Sequence, residues 1–414
     1  MDLNINKNNS QKTITAVALV TAICLLGDSM LYIALPIYYK EVGLQSLWEV
    51  GLILSLNRLI RIPINPFVGW VYRKISLKLG LIISVILAVI TTVGYGIGHG
   101  LFIWIILRCL WGISWSFLRL GGMFTVIEYA TDENRGRLMG LYNGLYRLGS
   151  LFGMLLGGIL VSIYGFSFVS ICFGLLMIAS FPLISWLVPS VNSEKVMGVP
   201  YIDSLKSLVT KQVMLVIVSG LLLALIIQGM FVSTLSLVMQ ELFTNEINII
   251  GFTLGITALA GIIQGVRWAW EPFVAMRFGQ LSDGNKGRLP LFIFFLMTGA
   301  ISFSLLPVGM PMPIWISITF LFMFSSTILT TLIDAIAADV GKKSDLNVVM
   351  TYYTVFLDFG AALGPILAYF IIGYQNGLFL SFFLGGSVLV ILALLWSKEQ
   401  VTLRKHQELE QSLL

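Results

Sequence analysis

Arg61-Ile-Pro-Ile-Asn65-Pro-Phe-Val68 returns later in the chain as Arg267-Trp-Ala-Trp-Glu271-Pro-Phe-Val274. The two stretches lie 206 residues apart (267 less 61) in a chain of 414 residues, so the second half repeats the first. A second pair has nearly the same offset: Gly149-x-x-x-Gly153 reappears as Gly360-x-x-x-Gly364, 211 residues on. The longest polar stretch between apolar runs, Pro189 to Gln212, falls between the copies. Parallel repeats of this kind are a recurrent way of building a carrier whose binding site lies between the halves.

Only 11% of the residues are charged, 57% are hydrophobic, and the mean hydropathy is +0.93. A soluble domain carries roughly 25% charged residues, so lipid is the solvent for this chain. Apolar runs near the length that crosses a bilayer as a helix occur over 14–38, 47–71, 78–97, 101–126, 138–162, 166–188, 212–240, 248–274, 290–308, 313–338, 347–372 and 376–397. They predict an all-α integral membrane protein with twelve transmembrane helices in two pseudo-symmetric six-helix bundles. The expected organisation is an N-terminal bundle over 1–188, a cytoplasmic connector over 189–211, a C-terminal bundle over 212–397 and a charged cytoplasmic tail over 398–414.

Lysine and arginine set the expected orientation. With loops assigned to alternate sides, eighteen of these residues fall on one side against Lys40 alone on the other. That bias places both termini in the cytoplasm of a cell membrane crossed many times. The first span is longer than the apolar core of a signal peptide and lacks an A-x-A-like cleavage site, so it is expected to be retained.

Several chemistries are disfavoured. Cys24, Cys109 and Cys172 lie far apart in apolar runs without C-x-x-C spacing, and His99 and His406 have no metal-ligand neighbour at helical spacing. Gly341-Lys-Lys-Ser344 lacks the upstream glycine and strand of a phosphate-binding loop, and the glycines between Gly94 and Gly100 read as a flexible turn. No cofactor, metal or nucleic acid is expected, despite the net charge of +5. The expected partners are the lipid bilayer, a small-molecule solute and protons.

Gly279-Gln-Leu-Ser-Asp283-Gly-Asn-Lys-Gly287-Arg288 is similar to the signature between the second and third helices of a repeat in the major facilitator superfamily, and the chain resembles that family over essentially its whole length. The first-half equivalent, Gly69-Trp-Val-Tyr-Arg73-Lys74, lacks the aspartate. Arg108-Cys-Leu-Trp-Gly112 resembles the R-x-x-x-G motif of proton-coupled drug and metabolite exporters. Gly149-Ser-Leu-Phe-Gly153-Met-Leu-Leu-Gly157-Gly158 resembles the antiporter motif of the fifth helix, with Met154 in place of the usual proline, which Gly360-Ala-Ala-Leu-Gly364-Pro365 keeps. The resemblance implies a monomeric carrier that exports a small organic molecule in exchange for protons by alternating access. It also implies gating roles for Gly279, Asp283, Gly287, Arg288, Gly149, Gly153, Gly157, Gly364 and Pro365. Glycines at this spacing also occur simply because they let helices pack closely, and both readings stay open.

Charge at membrane depth is the strongest functional signal. Asp28, Arg58, Arg61, Arg108, Arg119, Arg147, Arg267, Glu271, Asp334 and Asp358 all lie within spans. Each costs about 2.5–3.5 kcal/mol at mid-bilayer, so these groups face one another or a watery cavity. The resemblance puts the first, fourth, seventh and tenth spans around that cavity, which implies Asp28, Arg108, Arg119, Gln228 and Asp334 as its polar lining. Trp111 and Trp115, one turn apart between the two arginines, either line it or fill a helix interface. Asp28 is the carboxylate nearest the middle of its span, and with Arg108 it is the expected proton-coupling pair: desolvation favours the neutral acid, an adjacent arginine the carboxylate. Two arginines and two aspartates suit an anionic or zwitterionic solute at least as well as a lipophilic cation. The rivals are a proton-coupled importer of such a solute and, disfavoured by the short loops and the lack of a His, Cys or Ser constellation, a membrane-embedded enzyme or sensor.

The repeat also predicts a charge pattern. Asn65 matches Glu271, and Arg147 in the fifth span matches Asp358 in the eleventh, so equivalent positions differ in charge. The resembled fold packs the fifth span beside the eighth and the second beside the eleventh. The expected interdomain pairs are therefore Arg147 with Glu271, and Asp358 with Arg61 or with Arg58 one turn away. Removing one partner of a buried pair strands the other at a cost of about 3–5 kcal/mol. Arg147→Ala and Glu271→Ala are each expected to abolish folding or transport, and the double swap Arg147→Glu with Glu271→Arg to restore part of it. Full transport by either single variant overturns the pairing.

Overall fold

A computed structural model of the chain describes residues 2–130, 134–190, 210–243, 246–249, 252–283, 287–342 and 346–412. Most of the expected connector, 191–209, lies outside the described residues. Among the described residues, nine helices are long and apolar enough to cross a membrane, beginning with Ser10–Tyr38 and ending with Gly377–Thr402. A shorter apolar helix, Leu289–Leu305, adds to them. Two further expected spans do not meet that measure. One is the broken pair Leu47–Leu59 and Arg61–Tyr72, and the other is Ile256–Ser282, which carries Arg267, Glu271 and Pro272. The fold is thus all-α, with one short exception. Large apolar side chains such as Trp186 (83% exposed) and Phe102 (74%) point outward, in keeping with a lipid-facing surface.

The helices in chain order are α1 (Asp2–Tyr38), α2 (Leu47–Leu59), α3 (Arg61–Tyr72), α4 (Leu77–Ile97), α5 (Leu101–Tyr129), α6 (Arg135–Tyr164), α7 (Phe166–Leu176), α8 (Ser180–Leu187), α9 (Lys211–Ala224), α10 (Val232–Leu242), α11 (Ile256–Ser282), α12 (Leu289–Leu305), α13 (Met312–Lys342), α14 (Leu346–Ile372) and α15 (Gly377–Ser412). Three spans are interrupted, each for a local reason. Between α2 and α3, Pro63 brings no N–H for the carbonyl of Leu59, and the helix steps at Ile60. Between α7 and α8, a 3-10 turn over Met177–Ala179 precedes Pro182. Between α9 and α10, a π-helical turn over Leu225–Phe231 contains Gln228 and Gly229.

The eighth span is the one misplaced in the sequence reading, which starts it at 248. The helix begins at Ile256, and before it lies an antiparallel hairpin, β1 (Glu246–Ile249) and β2 (Phe252–Gly255), with Glu246 opposite Gly255. An apolar run cannot by itself distinguish a strand from a helix, and the β-branched and aromatic residues around Gly251 favour the hairpin. Caps mark other starts: the Ser76 hydroxyl accepts from the Leu79 N–H at the head of α4, and Thr210 does the same for Val213 at the head of α9.

The chain forms two compact units: Met1–Val199 with Val232–Val266, and Pro200–Phe231 with Arg267–Leu414. Sequence halves and units therefore differ over α10, the hairpin and the start of α11, which cluster with the first unit. Within it, α6 lies along α1. A Cβ at Gly149 would collide with the carbonyl of Ala22, one at Gly153 would lie 2.6 Å from that of Leu26, and one at Gly157 would lie 2.7 Å from Met30. On the same helix, Gly158 meets the Thr257 carbonyl and Gly261 of α11. The second unit repeats the device: Gly360 and Gly364 of α14 sit against the carbonyls of Leu221 and Leu225, and Gly364 also lies against Gly229.

These crossings make a prediction. Gly149→Ala and Gly360→Ala force backbones apart and are each expected to destabilise the protein by about 1–3 kcal/mol, as overpacking does. Gly144→Ala, on α6 with open space around it, is expected to leave the unfolding temperature in detergent unchanged or raised. Equal behaviour of all three variants overturns the packing role.

Candidate functional site

Four helices of the first unit bring polar side chains to one point. Asp28 projects from α1 and Arg108 from α5, and Arg108 Nη1 donates to Asp28 Oδ1 at 2.5 Å. Arg108 is completely buried, while the Asp28 side chain keeps 11% exposure. Arg108 Nε donates to the carbonyl of Ile53 on α2 at 2.9 Å, and Nη1 also reaches the hydroxyl of Tyr95 on α4 at 3.4 Å. Asn57, one turn beyond Ile53 on the same face of α2, donates through Nδ2 to Asp28 Oδ1 at 3.4 Å. Two polar atoms in this cluster are buried without a hydrogen-bond partner, Arg108 Nη2 and Asn57 Oδ1.

Gly112 explains how α5 comes near enough to α2. A Cβ there would strike the Ile60 side chain and lie 2.8 Å from the Asn57 carbonyl oxygen. The spacing of Arg108-x-x-x-Gly112 thus puts the close approach one turn from the arginine, which can then reach a main-chain carbonyl of the neighbouring helix. Depth follows from the chain. Asp28 lies ten residues before the end of α1 and Arg108 seven after the start of α5, so the pair sits about 10–15 Å in from that end.

The other residues singled out in the sequence fall elsewhere. Arg119 Nη1 donates to Asn143 Oδ1 of α6 at 2.9 Å, and its guanidinium lies over the rings of Tyr146 (5.1 Å) and Tyr142 (5.8 Å). Trp111 is buried in the apolar core with Val17, Cys24 and Leu118, and Trp115 packs on that core edge-on to Tyr146. Both tryptophans fill helix interfaces in this structure. A groove between α4 and α5, about 590 Å³ and lined by Val89, Ile90, Val93, Ile97, Ile103 and Leu107 with Gly94 and Gly98, offers no polar side chain to a solute.

In the second unit, Asp334 of α13 is exposed although it lies well inside its helix, and the Tyr353 hydroxyl of α14 donates to its Oδ1 at 2.6 Å. Gln228 is half-buried in the π-helical turn. The end of α11 is tied to the end of α13 by one guanidinium. Arg288 Nη2 lies 2.8 Å from Asp283, Nη1 3.2 Å from the Ser282 hydroxyl, and Nε 2.8 Å from Asp339. Gly287, just before, has φ +69°, a conformation that side chains rarely adopt. Gly279 lies on the same stretch of α11, where a Cβ would be 3.9 Å from Thr331. Pro365 is inside α14, one residue after the Gly364 crossing. The corresponding loop of the first unit has no such clamp among the described residues: Lys74 sits over the Trp70 ring at 4.0 Å, and Lys78, 210 residues before Arg288, donates to the carbonyl of Ser185.

Arg58 and Arg61 flank the step between α2 and α3, Arg147 is exposed on α6, and Glu271 and Asp358 are half-buried on α11 and α14. Each of the five makes a polar, ionic or ring interaction. The sequence reading missed Asn57, Tyr95, Asn143, Tyr353 and Asp339. An asparagine within an apolar span is itself a signal, since its amide needs partners that lipid lacks. Tyr95 and Tyr353 carry no such mark.

Comparison with known proteins follows the same line. The sequence model described as Major Facilitator Superfamily matches residues 17–331. No curated protein sequence matches the chain. Among solved structures, a bacterial homologue of the human lysosomal transporter Spinster, inward-facing and unoccupied, superposes with TM-score 0.74 at 13% identity, covering 94% of this chain and 96% of that one. The nucleoside transporter NupG superposes with TM-score 0.74 at 15% identity over 94% and 98%. A POT family transporter in complex with 5-aminolevulinic acid gives 0.73 at 13% over 93% and 94%.

The clamp on Arg288 is testable. Its three nitrogens meet acceptors in three directions, a geometry that a lysine cannot reproduce. Arg288→Lys is expected to lose as much thermal stability in detergent as Arg288→Ala. A double-mutant cycle with Asp339→Ala is expected to show coupling of about 1 kcal/mol for this partly exposed pair. Full rescue by lysine, or strict additivity, overturns the clamp.

Proposed function

The chain belongs to the major facilitator superfamily and is a membrane transporter, and from that premise we propose that it exports a small organic molecule in exchange for protons by alternating access. The observation that carries the proposal is the Asp28–Arg108 pair: a nearly buried carboxylate on α1, held by a wholly buried arginine on α5. A proton on Asp28 cancels the charge that Arg108 holds. The arginine keeps its bonds to Ile53 and Tyr95, so α5 stays attached to α2 and α4 while its ionic tie to α1 weakens. Protonation thereby changes which helices are bound to which, and that is what couples a proton to a conformational cycle. Export is supported by the resemblance of Arg108-Cys-Leu-Trp-Gly112 and of the α6 glycines to antiporter motifs.

In this reading Asp28, Arg108, Arg119, Gln228 and Asp334 meet the solute or the proton, and Asp334 is already exposed for it. The glycines of α6 and α14 act as close-packed pivots, and the Arg288 clamp holds its loop through part of the cycle. The protein works as a monomer in the cell membrane with both termini in the cytoplasm. A second reading, inward symport of an organic anion or zwitterion, is favoured by the free Nη2 of Arg108, a donor suited to a carboxylate. The 5-aminolevulinic acid in one of the similar structures is a solute of that kind.

Reconstituted vesicles with an imposed pH gradient and a panel of labelled organic anions, zwitterions and cations separate the two readings by the sign of flux. Asp28→Asn is expected to abolish uphill transport while leaving counterflow measurable. Unchanged pH-driven transport in that variant removes Asp28 from the mechanism, and loss of counterflow as well makes it a solute ligand instead.

A further inference from the structure

We propose that Asn57 is the positioning residue for Asp28, an amide that turns over when the carboxylate takes its proton; this rests on Asp28 as the proton site. The geometry around the carboxylate is one-sided. Both donors, Arg108 Nη1 and Asn57 Nδ2, converge on Oδ1, and among the described residues nothing donates to Oδ2. The 11% exposure left to the side chain gives an incoming proton its route. Asn57 itself is 6% exposed and uses only one end of its amide, while its Oδ1 is buried without a partner. A buried acceptor without a partner is costly, and a change of state that supplies one is favoured.

The chemistry of the two ends supplies that partner. The amide NH₂ suits a carboxylate, which only accepts, whereas the amide carbonyl suits a carboxylic acid, whose O–H donates. A half-turn of the Asn57 side-chain amide exchanges the two ends within the same volume. Asp28, taking a proton from bulk solvent onto Oδ1, then donates to Asn57 Oδ1, and that oxygen keeps a lone pair for Arg108 Nη1. Asn57 has little freedom to move as a whole, because its backbone lies in the crossing that Gly112 permits.

The other ionisable groups near this point are few. Arg108 and Tyr95 belong to the cluster, and Tyr32 on α1 points its hydroxyl at the Leu54 carbonyl. Glu49, two turns up α2, is occupied by the Gln45 N–H. Arg58 is displaced from Asn57 by about 100° around the helix. The stretches of α6 from Gly149 to Ile163 and of α10 from Val232 to Gln240 carry no ionisable side chain, α7 carries only the exposed Cys172, and α8 carries none.

Infrared difference spectroscopy on the purified protein in lipid nanodiscs, titrated with protons alone, tests the proposal. The expected wild-type spectrum has a carboxylic acid band that Asp28→Asn removes, and an asparagine side-chain amide band that changes with the same midpoint. In Asn57→Leu, which keeps the volume but neither amide end, the amide response disappears and the acid band shifts. The midpoint itself is not the readout, because the variant removes a donor from the carboxylate and an acceptor from the acid alike. Asn57→Ser, whose hydroxyl both donates and accepts, is expected to fall between, and it carries the test if the leucine variant does not fold. An acid band lost in Asp28→Asn but indifferent to both Asn57 variants overturns this inference alone. A band that survives in Asp28→Asn overturns the proton site itself, and this inference with it.

Discussion

Hydrocarbon solvates neither a peptide group nor a charge, and the structure is organised by that constraint at two scales. At the larger scale every span closes its main-chain hydrogen bonds within a helix, and where it cannot, the defect is local and has an identifiable cause. Pro63 breaks one ladder, and the π-helical turn at Leu225–Phe231 disturbs another. At the smaller scale, association in lipid relies on close packing and polar contacts rather than on the hydrophobic effect. The glycines of α6 against α1 and of α14 against α9 and the π-helical turn provide that packing twice, at equivalent places in the repeat. The same constraint makes the Asp28–Arg108 pair informative. Ions are kept at membrane depth only where they have partners, and these two have partners on four helices.

The repeat is close in packing and loose in chemistry. The helix crossings are retained in both copies, since losing one would separate two backbones. The ionic devices are divided between them. The first unit has the buried Asp28–Arg108 pair and, among the described residues, lacks a counterpart of the Arg288 clamp; the second has that clamp and an exposed Asp334 with its tyrosine. Once duplicated, a scaffold keeps what holds it together, and each copy can specialise in what the other does not supply.

What could be read from the sequence follows the same division. The apolar spans and the glycine spacing were legible because hydropathy and small-residue spacing are one-dimensional signals. That Asp28 and Arg108 need partners was legible, because an unpaired charge in lipid is too costly to leave alone; which partner each takes was not. The eighth span was misplaced because β-branched residues before it continue its apolar run. Asn57, Tyr95 and Asp339 escaped because their roles depend on which faces meet. Nothing in a sequence states that Gly112 of α5 crosses α2 at Asn57. Trp111 and Trp115 had two readings of equal standing, and Trp111 packs in the core with Val17 while Trp115 lies half-buried against Tyr146.

The arginine of the R-x-x-x-G stretch is usefully seen as fixed and the carboxylate as the moving part. Arg108 is wholly buried and bonded to a main-chain carbonyl, an acceptor that no change of pH removes. Arginine also keeps its own charge at any pH the protein meets. Asp28 has the opposite character: nearly buried but with 11% of its side chain still exposed, and bonded through one oxygen. In the proposed cycle, a permanent charge held beside a removable one would give an electrostatic contact with two states, set by the proton. Had the arginine been free to follow the carboxylate, protonation would have rearranged a side chain. Because its anchors lie on α2 and α4, the proposed protonation of Asp28 would act on the tie to α1 and not on the arginine, and a local titration would become a difference in how helices are held.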